Sequence, residues 1–171
     1  MFVKIGKPDR KNRSEKIVID DYDIWNFDHT LALIIVPALK KLKEQKHGAP
    51  LVNNEDVPEH LRGRIEELKT NDTSGDTTDK HYFDRWDWVL DQMIWAFQQK
   101  LEDWEEQFYS GEIDMDWKKL KDDINKGEDM HEMVYGSNHT FQIDTEGMEK
   151  YQKRIDEGIM LFAKYYSALW N

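Results

Sequence analysis

Apolar residues recur along this chain at two spacings, and the spacings divide it into elements. "FVKI" and "EKIVID" are short β-branched runs on either side of "GKPDRKNRS", a stretch rich in turn formers. They predict a β-hairpin with a long basic loop. In "NFDHTLALIIVPALKKLKEQKHG", Leu31, Ile34, Ile35, Ala38, Leu39 and Leu42 fall at helical spacing. Asn26 or Asp28 supplies the cap, Lys43, Lys46 and His47 occupy the last turn, and Gly48 follows as a stop. Pro37 lies inside this helix, where its ring is expected to kink the axis and free the Leu33 carbonyl. A connector follows. It begins as a short helix, "PEHLRGRIEEL", and continues as "TNDTSGDTTD", about residues 70–79, which has no large apolar residue and is expected to be mobile. A long aromatic helix is predicted from His81 to Tyr109, a further short helix over "DWKKLKDDINKGED", and a strand over "HTFQID", near 140–144. Thr145 then caps a last helix that runs to Trp170 with a stripe of Met148, Tyr151, Ile155, Ile159, Phe162, Tyr166 and Leu169. Gly158 lies at the edge of that stripe. A mid-helix glycine costs up to about 1 kcal/mol relative to alanine, so close approach of another backbone is expected there. The pattern as a whole predicts a single α+β domain, mostly α, with three long helices packed together. A small antiparallel sheet, formed by the hairpin and the strand near 140–144, lies at one side.

The aromatic helix carries more rings than one face can bury. At roughly 100° per residue, Phe83, Trp86, Leu90, Met93, Ile94, Phe97, Leu101, Trp104 and Phe108 share a face. Trp88 and Trp95 fall nearly opposite, among Asp84, Asp91 and Glu102. The ordinary reading packs these two indoles under the connector, the hairpin or a second subunit, because large rings are rarely left in water. The functional reading is an acidic-aromatic pocket, where indoles stack on a planar or cationic group and carboxylates accept hydrogen bonds or neutralise charge.

Composition narrows the classes. The net charge of −11 repels nucleic-acid backbones and argues against general DNA or RNA binding. With no cysteine, there is neither a disulfide framework nor a thiolate metal site. The first residues lack the apolar core of a signal peptide, and "LALIIVPAL" is far short of a membrane span of roughly twenty residues. These features predict a soluble, intracellular protein.

No decisive catalytic motif is present. There is no Gly-rich phosphate loop, no GxSxG and no HExxH; in "HEMVY", Tyr135 stands where a second histidine would be needed. Asp28 and His29 are adjacent at a helix start, and with Asp84 and Asp87 they form the one candidate metal set, as ligands from different helices. The ordinary reading of that pair is a capping aspartate beside a partly buried histidine. Lys43, Lys46 and His47 form a local basic patch, usually a solvated helix end and less often a phosphate site. No cofactor is signalled.

"IDDYDIWNFDHTLALIIVPALKKLKEQKHGAPLV", "EDVPEHLR", "HYFDRWDWVLDQMIWAF" and "GMEKYQKRIDEGIMLFAKYYSALW" together resemble an uncharacterised protein family encoded by tailed bacteriophages. The resemblance implies a setting, the cytoplasm of an infected bacterial cell or the virion, and brings no catalytic residue with it. Three readings follow. The first is a non-enzymatic binding protein that holds a protein partner or small ligand on Asp84, Trp88, Asp91 and Trp95, serving host takeover or defence antagonism. The second is a metal-dependent hydrolase using Asp28, His29 and the carboxylates of the aromatic helix. The third is a virion component, with the same face as a contact in a homo-oligomer.

Overall fold

The structure, a computed structural model, describes residues 2–9, 12–63, 79–119 and 131–170. Among the described residues there are, besides short 3-10 turns, three α-helices and three two-stranded antiparallel pairs: α1 (Phe27–Gln45), α2 (Tyr82–Gln99), α3 (Thr145–Lys164), β1 (Phe2–Asp9) with β2 (Asn12–Val18), β3 (Tyr109–Ser110) with β6 (Gln142–Ile143), and β4 (Met115–Lys119) with β5 (His131–Tyr135). The mostly α, α+β class expected from the periodicity holds. The strand near 140–144 is present as β6, and its partner is β3 rather than the hairpin. The hairpin reaches further than its β-branched runs. Pairing continues to Pro8↔Arg13 and Asp9↔Asn12, with an irregularity between Ile5 and Pro8, so most of the supposed loop is strand. The connector at 70–79 lies outside the described residues. Among the described residues, no helix is long and apolar enough to cross a membrane.

The chain divides into two compact units, Met1–Asp103 with Lys153–Asn171, and Trp104–Gln152. In the first, α1 and α2 run antiparallel. Lys43 and Lys46 meet Asp91 and Asp87 at one end, and Asp28 and His29 meet Lys100 at the other. The core joins Ala32, Val36 and Leu39 of α1 to Trp86, Leu90, Met93 and Ile94 of α2, closed by Val52, Val57 and Tyr165. From Lys153 onward α3 packs on α2 at Gly158. A Cβ there would lie 2.5 Å from the Ala96 Cβ and 2.7 Å from the Gln92 carbonyl oxygen, which is the close backbone approach its position predicted. Because α2 has α1 and α3 as neighbours, its buried arc is wider than one stripe and includes Arg85, Val89, Ala96 and Gln99. Phe83, expected in the core, is half exposed, since it lies at the first turn beyond the reach of α1.

Two further expectations are corrected by tertiary contacts. The buried face of α1 is Ala32, Val36 and Leu39, whereas Leu31, Ile34 and Ala38 are exposed. α1 has two apolar faces, and spacing alone does not choose between them. Pro37 lies inside α1, as its position in the sequence predicted. α2 stops at Gln99, ten residues before Tyr109 by count along the chain. The His29 ring stands 3.0 Å from the Lys100 carbonyl, an oxygen that only accepts, so Nδ1 carries the proton and caps the helix end from α1.

The second unit holds what was expected to continue the α2 stripe. Trp104 and Phe108 lie in a 3-10 turn, where Trp104 stacks on Tyr151 at 5.1 Å and Phe108 meets both rings edge-on. The expected helix over "DWKKLKDDINKGED" is instead strand β4 as far as Lys119; residues 120–130 lie outside the described set. Met115 and Trp117 alternate with Asp116 and Lys118, and pair across with Tyr135 and Met133. Cross-strand pairing overrides the local helical bias of this charged run. Thr145 opens α3, but the cap is Asp144, whose carboxylate accepts from the Gly147 N–H at 2.9 Å. The helix ends at Lys164 and a 3-10 turn, Tyr166–Ala168, follows.

Candidate functional site

The charged candidates of the sequence pair with one another. Asp91 takes Lys43 Nζ at 2.5 Å and Asp87 takes Lys46 Nζ at 2.6 Å, so both lysines of the candidate phosphate patch are engaged by α2 carboxylates. His47 is exposed at the end of α1. Asp84 lies 3.0 Å from His81 Nδ1, an i, i+3 pair on the first turn of α2. Asp28 meets Lys100 Nζ at 3.4 Å and accepts from the His29 N–H at 2.9 Å.

The four candidate metal ligands do not converge. Asp28 and His29 stand at the Lys100 end of α2, and Asp84 and Asp87 at the opposite end. The separation is roughly 20 Å at about 1.5 Å of rise per residue. Among the described residues, no group of three or more His, Asp or Glu side chains is arranged to hold a metal ion.

The two indoles separate from the carboxylates. Trp95 and Trp88 lie on the side of α2 that borders α3, while Asp87 and Asp91 lie on the side that borders α1. The Arg154 guanidinium lies 3.7 Å from the Trp95 ring centroid, so the cation expected over an indole is supplied by the protein itself. Trp88 packs partly against the core, and its remaining surface lines a cleft of about 870 Å³.

One wall of this cleft is α3, with Met160, Leu161 and Ala163; the other is the segment Val57–Pro58. Glu55, Asp56, Asp156, Glu157, Lys153 and Lys164 complete it. The opposing walls are held in register by one cluster. The Tyr165 hydroxyl donates to Asp56 at 2.5 Å and accepts from the Asn53 N–H at 3.0 Å. Lys164 bridges Asp56 at 2.7 Å and Glu55 at 3.1 Å. Burial, with Asp56 alongside, pushes the Tyr165 hydroxyl up to about 12, and Asp56 holds the Lys164 ammonium above its ordinary value. The cleft is therefore a preformed apolar slot whose rim has four carboxylates and two lysines.

Of the candidate site residues named from the sequence, only Trp88 lines this slot. Met160, 67% exposed, lies off the α3 stripe, and an apolar residue on the polar side of an amphipathic helix was the signal available for it. "EDVP" gave no comparable signal, because its role depends on Tyr165, 109 residues from Asp56. No family model, curated protein or solved structure matches the chain. The tailed-phage origin expected from the sequence finds no support in these comparisons.

Proposed function

We propose that this is a non-enzymatic binding protein, and that the Trp88 cleft receives an apolar or planar group carried next to a positive charge on a partner. The observation that carries the reading is the cleft itself, an apolar slot within the roughly 300–1,000 Å³ typical of ligand sites, with an indole in its wall. The rim supports the choice of charge. Lys164 is already committed to Asp56 and Glu55, and Glu157 has no ion-pair partner among the described residues. A lysine or arginine side chain has the matching form, an apolar stem that lies along Trp88 and Met160 and a cationic head that reaches the carboxylates. A phage setting, with host takeover or defence antagonism as the purpose, belongs to this proposal through the sequence resemblance.

The test is binding of an array of short peptides, in which Lys or Arg flanks an apolar residue, to the wild type and to Met160→Glu and Glu157→Lys. Both substitutions lie at exposed positions, so melting temperatures should stay within a degree or two. Expected is a set of peptides whose binding weakens about tenfold or more in each variant and is unchanged in Asp91→Ala. If every bound peptide is indifferent to Met160 and Glu157, the cleft is not the binding site.

A further inference from the structure

α1 has a second apolar face that remains exposed on the side away from the core. Phe27, Leu31, Ile34 and Ala38 recur at i, i+4, i+7 and i+11, the spacing of a helix-packing seam, and all four are exposed. The 3-10 turn before the helix extends this face with Tyr22 and Trp25, 83% and 88% exposed. That turn is rigid. Asp20 accepts from the Tyr22 N–H and Asp23 from the Asp20 N–H, closing a capping box, and buried Thr30 donates to the Asp23 carbonyl at 2.8 Å. The two rings are thus presented from a fixed frame, the preorganised aromatic anchor typical of interfaces.

We propose that this face is the two-fold interface of a homodimer, in which α1 of one chain packs antiparallel on α1 of a second copy. Two observations select a second copy as the occupant. The first is charge. The N-terminal end of the face carries Asp20 and Asp21, and its C-terminal end carries Lys41, which has no ion-pair partner among the described residues. An antiparallel two-fold crossing at Leu31 and Ile34 sets Phe27 on the partner's Ala38 and brings each acidic end to the other chain's basic end; a parallel pairing would set acid on acid. The face therefore complements itself, as an isologous interface must. The second is area. Tyr22 and Trp25 alone expose on the order of 300 Å². With Ile24, Phe27, Leu31 and Ile34 the face approaches the roughly 800 Å² per partner of a standard stable interface.

The experiment uses the full chain. Sedimentation velocity over a concentration series should give twice the chain mass, and Trp25→Ser and Ile34→Asp should each raise the dimer dissociation constant about tenfold or more with circular dichroism and melting of the monomer kept. Because the chain has no cysteine, introduced thiols report orientation cleanly. A mixture of Phe27→Cys and Ala38→Cys proteins should cross-link to each other under mild oxidation, and neither should cross-link to itself. A monomer at all concentrations overturns the proposal. So does a dimer that survives both Trp25→Ser and Ile34→Asp, which places the contact elsewhere, and so does cross-linking of each cysteine variant with itself, which makes the helices parallel.

Discussion

Arg85 is nearly fully buried, and its charge is met by a single carboxylate. Asp79 takes both guanidinium nitrogens, Nη1 at 3.0 Å and Nη2 at 2.7 Å, and the Leu61 carbonyl takes Nη1 at 3.0 Å, while Nε has no partner among the described residues. This pair ties the 3-10 turn Glu59–Leu61 to the first turns of α2. A carboxylate with an arginine fork on it is held below its ordinary value, and Asp79 is so shifted. The consequence for stability has a definite sign. The contribution is complete above the unfolded value of about 3.9 and is lost as pH falls through the lower folded value. Asp79→Asn leaves a buried cation without its counter-charge and should cost about 3–5 kcal/mol at neutral pH. Urea unfolding of the two proteins should give that gap at pH 7 and a narrowing gap below about pH 4; a gap independent of pH would mean that Asp79 acts through shape alone. Tyr165 has the opposite sign. Its value of about 12 favours the neutral hydroxyl in the fold, so its contribution is full below about pH 10 and is lost as pH rises toward 12. Absorbance at alkaline pH should show a late tyrosine ionisation, near pH 12, that is missing from Tyr165→Phe. Neither the Asp79 fork nor the Asp56 contact of Tyr165 has a signature in the sequence, because each joins side chains on different elements.

At the scale of the element, α2 is the helix on which the first unit is built. Leu90 is fully buried between its neighbours, so Leu90→Ala should cost about 2–5 kcal/mol. Phe83→Ala, on the same calculated stripe but half exposed, should cost no more than about 1 kcal/mol. Equal costs in thermal or denaturant unfolding would contradict the observed packing of the first turn. Gly158→Ala weighs two effects of opposite sign. Alanine is the better helix former by up to about 1 kcal/mol, but its Cβ meets Ala96 and the Gln92 carbonyl at distances that force α3 outward, an overpacking cost of about 1–3 kcal/mol. The expected outcome is net destabilisation, and a stabilised variant would show that the two helices separate freely. The existence of α2, its direction of amphipathicity and the meaning of Gly158 were legible from spacing. Its end was not, because "QQKLEDWEEQF" contains no helix breaker and the helix is capped by His29 from another element.

For the molecule as a whole, burial is unevenly shared. The first unit holds the continuous core, while both strands of the β4–β5 hairpin in the second are exposed on nearly every residue. Amide hydrogen exchange should therefore be slowest in α2 and far faster in Met115–Lys119 and His131–Tyr135; protection of the hairpin equal to that of α2 would reveal that something covers it. The chain's own pattern of apolar and polar residues determined the α+β class, the three helices, the N-terminal hairpin and the acidic charge. Each of these is a property of neighbouring residues or of composition. Tertiary structure decided which of two apolar faces of α1 is buried, where α2 stops, and that "DWKK" is a strand. It also decided that Asp91 and Trp95 are occupied by Lys43 and Arg154 while Trp88 alone opens onto a cleft. Those outcomes depend on partners remote in the chain, 48 residues from Lys43 to Asp91 and 71 from His29 to Lys100. Periodicity states only that a face can be buried; the neighbour that packs on it decides whether it is.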